Sequence, residues 1–250
     1  MLSIVFPGYR HENWERLFLS IRDSMGSTAF EVIAVGPPMP EAIAERMSIY
    51  SEFQAIVDYG TPTRCAQIAL LEAKGEIFTW ASDDGVYMGL ELNKSYELLK
   101  SKSTKDGVCI RYHEGGNNVN DSYWVATTHN DLRMSGVKSS FIITPLGMYY
   151  TEYVKSIGGW DCNFEHLNMS NHDLAFRIQN DGGKIFLSPS FTFTCEWSGG
   201  RPDHKPIHDS HFENDAPLLE SLYSIEGNRS VNLELDNWKN SPATWSRRFG

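Results

Sequence analysis

The sequence predicts an α/β protein built on a mixed, mainly parallel sheet flanked by helices, and three observations carry that prediction. Short β-branched or aromatic runs alternate with longer amphipathic runs over residues 1–113, the pattern of parallel strands joined by crossover helices. Gly and Pro punctuate the amphipathic runs at Gly26, Pro40, Pro62 and Gly75, where helices stop and start. The last apolar run of this series leads straight into Ser82-Asp83-Asp84-Gly85, so acidic side chains stand at the carboxyl end of a strand, where open α/β sheets hold their ligands.

Taken in order, Leu2 to Phe6 is the first strand. Trp14, Leu17, Phe18, Ile21 and Met25 then recur at helical spacing until Gly26. Phe30 to Val35 is the second strand, and Pro40 opens a helix containing Ile43, Met47 and Ile49. Ala55 to Val57 is the third strand, Pro62 opens a helix that Gly75 closes, and Ile77 to Ala81 is the fourth strand. Residues 114–140 are polar and poorly periodic, with one strand-like island at Tyr123 to Thr128. Asp173 stands at the start of a helix over Leu174 to Asn180, where a carboxylate favours the helix dipole, and Gly182-Gly183 stops that helix. Lys184 to Leu187 and Phe191 to Cys195 are returning strands, and Trp197 to His208, rich in Gly, Pro and His, is a loop. The tail Gly227 to Gly250 holds Trp238, Trp245, Arg247, Arg248 and Phe249, which pack back on the domain or contact another subunit; an oligomer is possible.

A chain of 250 residues with 41% apolar side chains forms one domain or two small ones and has the material for a sizeable core. The formal charge of −10 disfavours a general nucleic-acid coat, which gains affinity by neutralising phosphates. The four cysteines, Cys65, Cys109, Cys162 and Cys195, form no CxxC pair, so neither a zinc ribbon nor a dense disulfide framework is indicated and a reducing cytoplasm fits best. The amino terminus lacks the charged lead and long apolar stretch of a signal peptide, and no stretch approaches the roughly 20 apolar residues of a membrane span.

Adjacent carboxylates repel, and a divalent cation that prefers oxygen ligands relieves the conflict. Asp83 and Asp84 are therefore candidate metal ligands, against the alternative of a surface turn capped by Asp side chains.

Four segments in order carry a family resemblance: Ser3-Ile4-Val5-Phe6-Pro7-Gly8-Tyr9-Arg10, Ala73-Lys74-Gly75-Glu76-Ile77, Ser82-Asp83-Asp84, and Gly158-Gly159-Trp160-Asp161 followed by Asp173-Leu174-Ala175-Phe176-Arg177. They resemble the opening strand and nucleotide loop, the lead-in to the fourth strand, the DxD-type metal motif and the acceptor-side motif of nucleotide-sugar-dependent glycosyltransferases of the GT-A fold, particularly family two. The resemblance implies a single GT-A domain over residues 1–226, with a nucleotide-sugar half (1–113), an acceptor half (114–226) and a tail (227–250). It implies a metal-dependent transfer from a nucleoside-diphosphate sugar, a UDP-sugar first, to an acceptor hydroxyl, with inversion rather than retention; the net charge of −10 favours a glycan over DNA as acceptor unless Arg201, Lys205, Arg247 and Arg248 gather on one face.

By the same resemblance Pro7, Tyr9 and Arg10 border the nucleotide. Asp83 lies near the ribose and shares with Asp84 the hold on Mn2+ or Mg2+ at the diphosphate. His204 or His208 completes the metal shell. Read from the residues alone, Arg64 on the first turn of its helix is either a second positive contact or a solvated surface group, and Arg201 and Lys205 are candidate contacts to the diphosphate. From its composition the insertion at 114–140 is expected to border the acceptor, and Trp124, Tyr149, Tyr150 and Trp160 are either sugar-stacking rings or, more commonly for aromatics, buried core residues.

Two positions depart from the family pattern. Val35 is followed by Gly36-Pro37-Pro38 where acidic residues usually help read the base, and Ser170 and Asn171 stand where a Glu-Asp pair usually does. An amide cannot take a proton at neutral pH, so Asp173 is the expected general base, with Glu165 and His172 as alternatives. Two other readings compete: a nucleotide- or sugar-binding module of the same fold without activity, and a nucleotidyltransferase, to whose Gly-rich loop Pro7-Gly8-Tyr9-Arg10 is a poor match.

Overall fold

The computed structural model describes residues 1–114, 124–125, 141–195, 202–224 and 226–250. Its central strand is β1 (Leu2–Pro7), which runs parallel to β2 (Phe30–Gly36) on one side and β4 (Ile77–Trp80) on the other. A parallel strand covered on both faces has no need of polar alternation. Leu2, Ile4 and Phe6 accordingly pack with α1 (Trp14–Met25), through Trp14, Leu17, Phe18 and Ile21. Val5 packs on the opposite face with Cys65, Ala66, Ala69 and Leu70 of α3 (Pro62–Glu72). Beyond β2, β3 (Phe53–Val57) is a parallel edge strand, two residues longer than expected. Helix α2 (Glu41–Met47) stops before Ile49, which is 73% exposed, so that residue belongs to no buried stripe.

The full strand order is β3-β2-β1-β4-β8-β6-β9-β5. The second half contains β5 (Gly85–Tyr87), β6 (Gly107–Glu114), β8 (Gly147–Tyr150) and β9 (Ile185–Cys195), with β7 (Trp124–Val125) paired to β6. There β4 and β8, β8 and β6, and β9 and β5 are antiparallel, while β6 and β9 are parallel. The two strands expected at Lys184–Leu187 and Phe191–Cys195 form one strand, with an irregular register against β6 between Cys109 and Tyr112 that absorbs the intervening Ser-Pro-Ser.

The acidic turn 81–84 joins β4 to β5, which stand at the fourth and eighth places in this order. In a flat sheet those places would be about 19 Å apart, near the limit of what the intervening residues can span. The sheet therefore curls, and the turn bridges its two halves.

Helix α4 (Glu91–Lys100) covers the same face as α1 through Leu92, Tyr96 and Leu99, and α5 (Thr151–Ser156) follows β8. Helix α6 spans Leu167–Asn180, so Asp173 lies mid-helix rather than in the first turn, and the expected dipole role falls with that placement. The expected loop through His208 is partly helical: a 3-10 turn at Pro202–His204 leads into α7 (Lys205–Ser210), with Pro206 in its first turn, where a missing N–H costs nothing. A π-helical turn at His211–Asp215 and α8 (Ala216–Tyr223) follow.

The tail packs back on the domain. Leu233 N–H donates to the Ile157 carbonyl, Trp245 N–H donates to the Tyr59 carbonyl at 2.7 Å, and Trp245 is 3% exposed ahead of the short α9 (Ser246–Phe249). Among the described residues no helix is long and apolar enough to cross a membrane.

Candidate active site

The carboxyl ends of β1, β2, β3 and β4 open into a cavity of about 470 Å³. Pro7, Tyr9, Arg10, Gly36 and Asp58 line one end of it, and Ser82, Asp83 and Asp84 lie along it. The cavity exists where β1 and β2 come unusually close beyond their pairing: Gly8 N–H donates to the Val35 carbonyl, and a Cβ on Gly36 would stand 1.8 Å from the Gly8 oxygen. Gly36→Ala should therefore push the Pro7–Arg10 loop aside, lowering thermal stability by a few kcal/mol and weakening UDP binding at least tenfold; calorimetry with UDP on the folded variant checks this.

Asp83 is 3% exposed and its carboxylate is fully engaged with that loop. Its Oδ2 accepts the backbone N–H groups of Tyr9 and Arg10, both at 2.7 Å, and its Oδ1 accepts from Arg10 Nη1 at 2.5 Å. Asp84 is 4% exposed; its Oδ1 accepts from Ser82 Oγ at 2.5 Å, and its Oδ2 faces His204 Nε2 at 3.7 Å and Arg10 Nη1 at 3.9 Å. Burial and the neighbouring Asp83 charge push the Asp84 carboxyl above its usual range, against the pull of Arg10. Burial works against the Arg10 charge, but Asp83 and Asp84 outweigh it and raise its pKa. Arg10 Nε also pairs with Asp203 Oδ2 at 2.8 Å, and its Nη2 donates to His204 Nε2.

These contacts separate the roles of the acidic pair. Asp83 fastens the opening loop to the acidic turn. Asp84 and His204 face each other with Arg10 against both: His204 Nε2 accepts from Arg10, which never loses its proton, so Nε2 is the unprotonated nitrogen and its lone pair is engaged by Arg10. A carboxylate oxygen and a neutral imidazole suit Mn2+ or Mg2+ to differing degrees, Mn2+ better for the imidazole. The fit is partial, since among the described residues no three His, Cys, Asp or Glu side chains converge on one point. Arg10 supplies the local positive charge in this arrangement.

The remaining sequence-predicted residues divide. Pro7 and Tyr9 line the cavity, and Tyr9 carries Arg248 4.2 Å over its ring and Phe249 against its edge at 6.0 Å. His208 also lines the cavity, beside His166 and His211. Arg64 does not reach the cavity: its guanidinium is bound to Asp58, with Nη2 to Oδ2 at 3.0 Å, and to the Trp238 and Ser241 carbonyls. It braces Asp58, and the expected contact with the diphosphate is replaced by that role. Lys205 is exposed and paired with Asp209, while Arg201 lies outside the described residues, as does the Trp124 side chain. Tyr149 and Trp160 are fully buried and Tyr150 nearly so, all in the core, so none presents a ring to a sugar.

Asp173 is the largest correction. It is 0% exposed, lies off the cavity wall and is saturated by partners: Arg177 Nε at 2.9 Å, Arg229 Nε at 2.8 Å and Nη2 at 2.7 Å, and the Tyr223 hydroxyl at 2.9 Å. Burial opposes its charge, but the two arginines hold its carboxyl below the usual range. Arg229 Nη2 also reaches Asp161 at 2.7 Å, and Arg177 donates to the Gly159 and Ile157 carbonyls. The Gly158-Gly159-Trp160-Asp161 motif is thus tied to α6 and the tail as one buried ionic knot. Both glycines have positive φ, +91° and +70°, a backbone that L side chains rarely adopt. Glu165 is likewise committed, its Oε2 accepting from Trp245 Nε1 and Arg247 Nε.

Sequence reasoning missed two groups of wall residues. Asp58 follows β3 as the acidic pair follows β4, and the same strand-end rule would have found it. Trp245, Arg248 and Phe249 line the cavity from the end of the tail, a placement that no local pattern announces.

The curled sheet with its acidic turn after the fourth strand is the GT-A glycosyltransferase fold. Within that fold class the chain is similar to TarS of S. aureus. The structure of its residues 1–349 matches with a TM-score of 0.58 at 16% identity, covering 95% of this chain and 68% of that one. Its complexes with UDP and with UDP-GlcNAc give TM-scores of 0.59 and 0.57 at the same identity. The chain spans 41% of the longer TarS structure. No family model matches, and no curated protein matches at a significant level.

Proposed function

We propose that the chain is a glycosyltransferase that uses a divalent cation to move a sugar from a UDP-sugar to an acceptor hydroxyl. The observation that carries this reading is Asp84 Oδ2 facing His204 Nε2 at 3.7 Å inside a cavity at the carboxyl ends of parallel strands. The UDP and UDP-GlcNAc complexes of a protein with the same fold support the donor class. Tyr9 and Pro7 flank the nucleotide, Asp83 holds their loop in place, and Asp84 and His204 hold Mn2+ or Mg2+. The bound cation acts as a Lewis acid that stabilises the charge growing on the departing diphosphate. Arg10 touches both Asp84 and His204, so a cation held there would share them with the guanidinium. Four free thiols fit a reducing cytoplasm.

The test is UDP-GlcNAc hydrolysis with and without Mn2+, together with calorimetry of UDP. We expect turnover in Mn2+ to fall at least a hundredfold with EDTA and to return on readdition of metal. Turnover that ignores EDTA would leave Arg10 as the working cation and end the metal assignment. Tight UDP binding without any turnover would favour a binding module instead.

A further inference from the structure

With Asp173 and Glu165 committed elsewhere, the glycosyltransferase reading lacks a group to receive the proton of the incoming hydroxyl. The positions of the family's usual acidic pair offer none. Ser170 and Asn171 are 0% exposed, and Asn171 is consumed by the core: its Oδ1 accepts from Trp160 Nε1, and its Nδ2 donates to the Thr144 carbonyl and to the Tyr149 hydroxyl. Asp58 is tied to Arg64, and Asp83 to Arg10 and the opening loop.

One residue further along α6 the helix turns its next side chain the other way, and His172 lines the cavity. The Thr144 carbonyl favours a proton on its ring, and its buried Nδ1 has no hydrogen-bond partner. An imidazole on the cavity wall with an unengaged nitrogen is the kind of group that serves as a general base. His166 also lines the cavity with an unpartnered Nδ1, but burial first, and then the imidazoles of His211, His172, His208 and His204, disfavour a proton there and press its pKa down to about 3.

We propose that His172 is the general base of this site, an inference that rests on the glycosyltransferase reading and names a residue that reading leaves open. The acceptor O–H proton passes to the His172 imidazole while the acceptor oxygen bonds to the anomeric carbon. The bond from that carbon to the diphosphate oxygen breaks, and its electron pair leaves with UDP. The imidazolium then returns its proton to solvent. A single displacement of this kind inverts the anomeric centre. Burial and the nearby His211 press the His172 pKa down to about 4, and the Thr144 carbonyl opposes them. The imidazole is therefore unprotonated at neutral pH and about as basic as an ordinary carboxylate. The titratable groups facing it are His166 and His211.

The experiment follows UDP-GlcNAc hydrolysis, in which water is the acceptor, in wild type, His172→Ala and His166→Asn. Wild-type turnover comes first: its absence would sink the enzyme reading and this proposal together. Given turnover, His172→Ala should lower kcat about a hundredfold or more with KM and UDP affinity within about twofold of wild type. Added imidazole should restore part of kcat, more strongly for more basic imidazoles, which a loss of packing would not allow. Full activity in His172→Ala, a loss confined to His166→Asn, or a loss that no imidazole repairs would overturn the assignment while leaving the enzyme reading intact.

Discussion

Asp84→Asn is expected to lower donor hydrolysis and transfer by about 10²–10³-fold while leaving the melting temperature unchanged or higher. The two halves of this expectation come from the same side chain. The carboxylate is 4% exposed, next to Asp83, and its pKa is raised by burial and by that neighbour. A carboxyl whose folded pKa lies above its unfolded value of 3.8 takes up its proton more readily in the folded chain. The fold therefore bears a penalty at any pH where the group is ionised in both states, and that penalty fades as the pH falls toward 3.8. The amide keeps the shape, accepts from Ser82 Oγ as the carboxylate does, and removes the penalty. It also removes the charge that would hold a divalent ion against His204. Function opposes stability at this position. Measured by melting and by UDP-GlcNAc turnover in Mn2+, a variant that keeps full activity would end the metal assignment. One that melts well below wild type would show that Asp84 supports the fold instead.

The opposite behaviour is expected of Asp173→Asn. Removing the carboxylate leaves Arg177, fully buried, and Arg229, nearly so, without their shared anion. Breaking a buried ion pair from one side costs about 3–5 kcal/mol, or roughly 6–20 °C in a domain of this size. Since Asp173 has its folded pKa depressed from 3.8, its contribution is present above that value and is lost as the pH falls through the lowered one. Wild type should therefore lose stability steeply at acid pH, and Asp173→Asn should flatten that dependence. A variant that melts like wild type yet has no turnover would restore Asp173 to the chemistry. Loss of activity alone does not separate the two roles, so the melting curve decides.

The contrast between these two aspartates shows how far the sequence could be read. Asp83 and Asp84 were legible because a strand end followed by adjacent carboxylates is a local pattern, and the β1 to β4 periodicity behind it is local too. Asp173 was misplaced because, beside Arg177 one helical turn on, its partners Tyr223 and Arg229 lie some fifty positions downstream, and no spacing rule reaches that far. The short strands β5 and β8 escaped for the same reason: three or four residues carry little periodicity, and their identity comes from pairing with β9 and with β4. Arg64 was a fair reading of a cation at the cavity's edge, but Asp58 sits six residues before it and captures it. His204 was found by residue type, while its pairing with Arg10 across nearly the whole chain could be seen only in three dimensions.

The acidic turn that bridges the two halves of the curled sheet has a consequence for assembly. Gly85 pairs with Cys195, and β9 reaches its place only by lying along β6. Strands β1 to β4 pair with one another within the first 80 residues, whereas what lies beyond the turn is anchored by strands that come much later in the chain. The far end of the turn, where Gly85 enters β5, thus acquires its fixed geometry late, from pairings of high contact order, which form slowly. Affinity for the donor should appear in refolding as a trailing phase, after the first four strands have gained their protection.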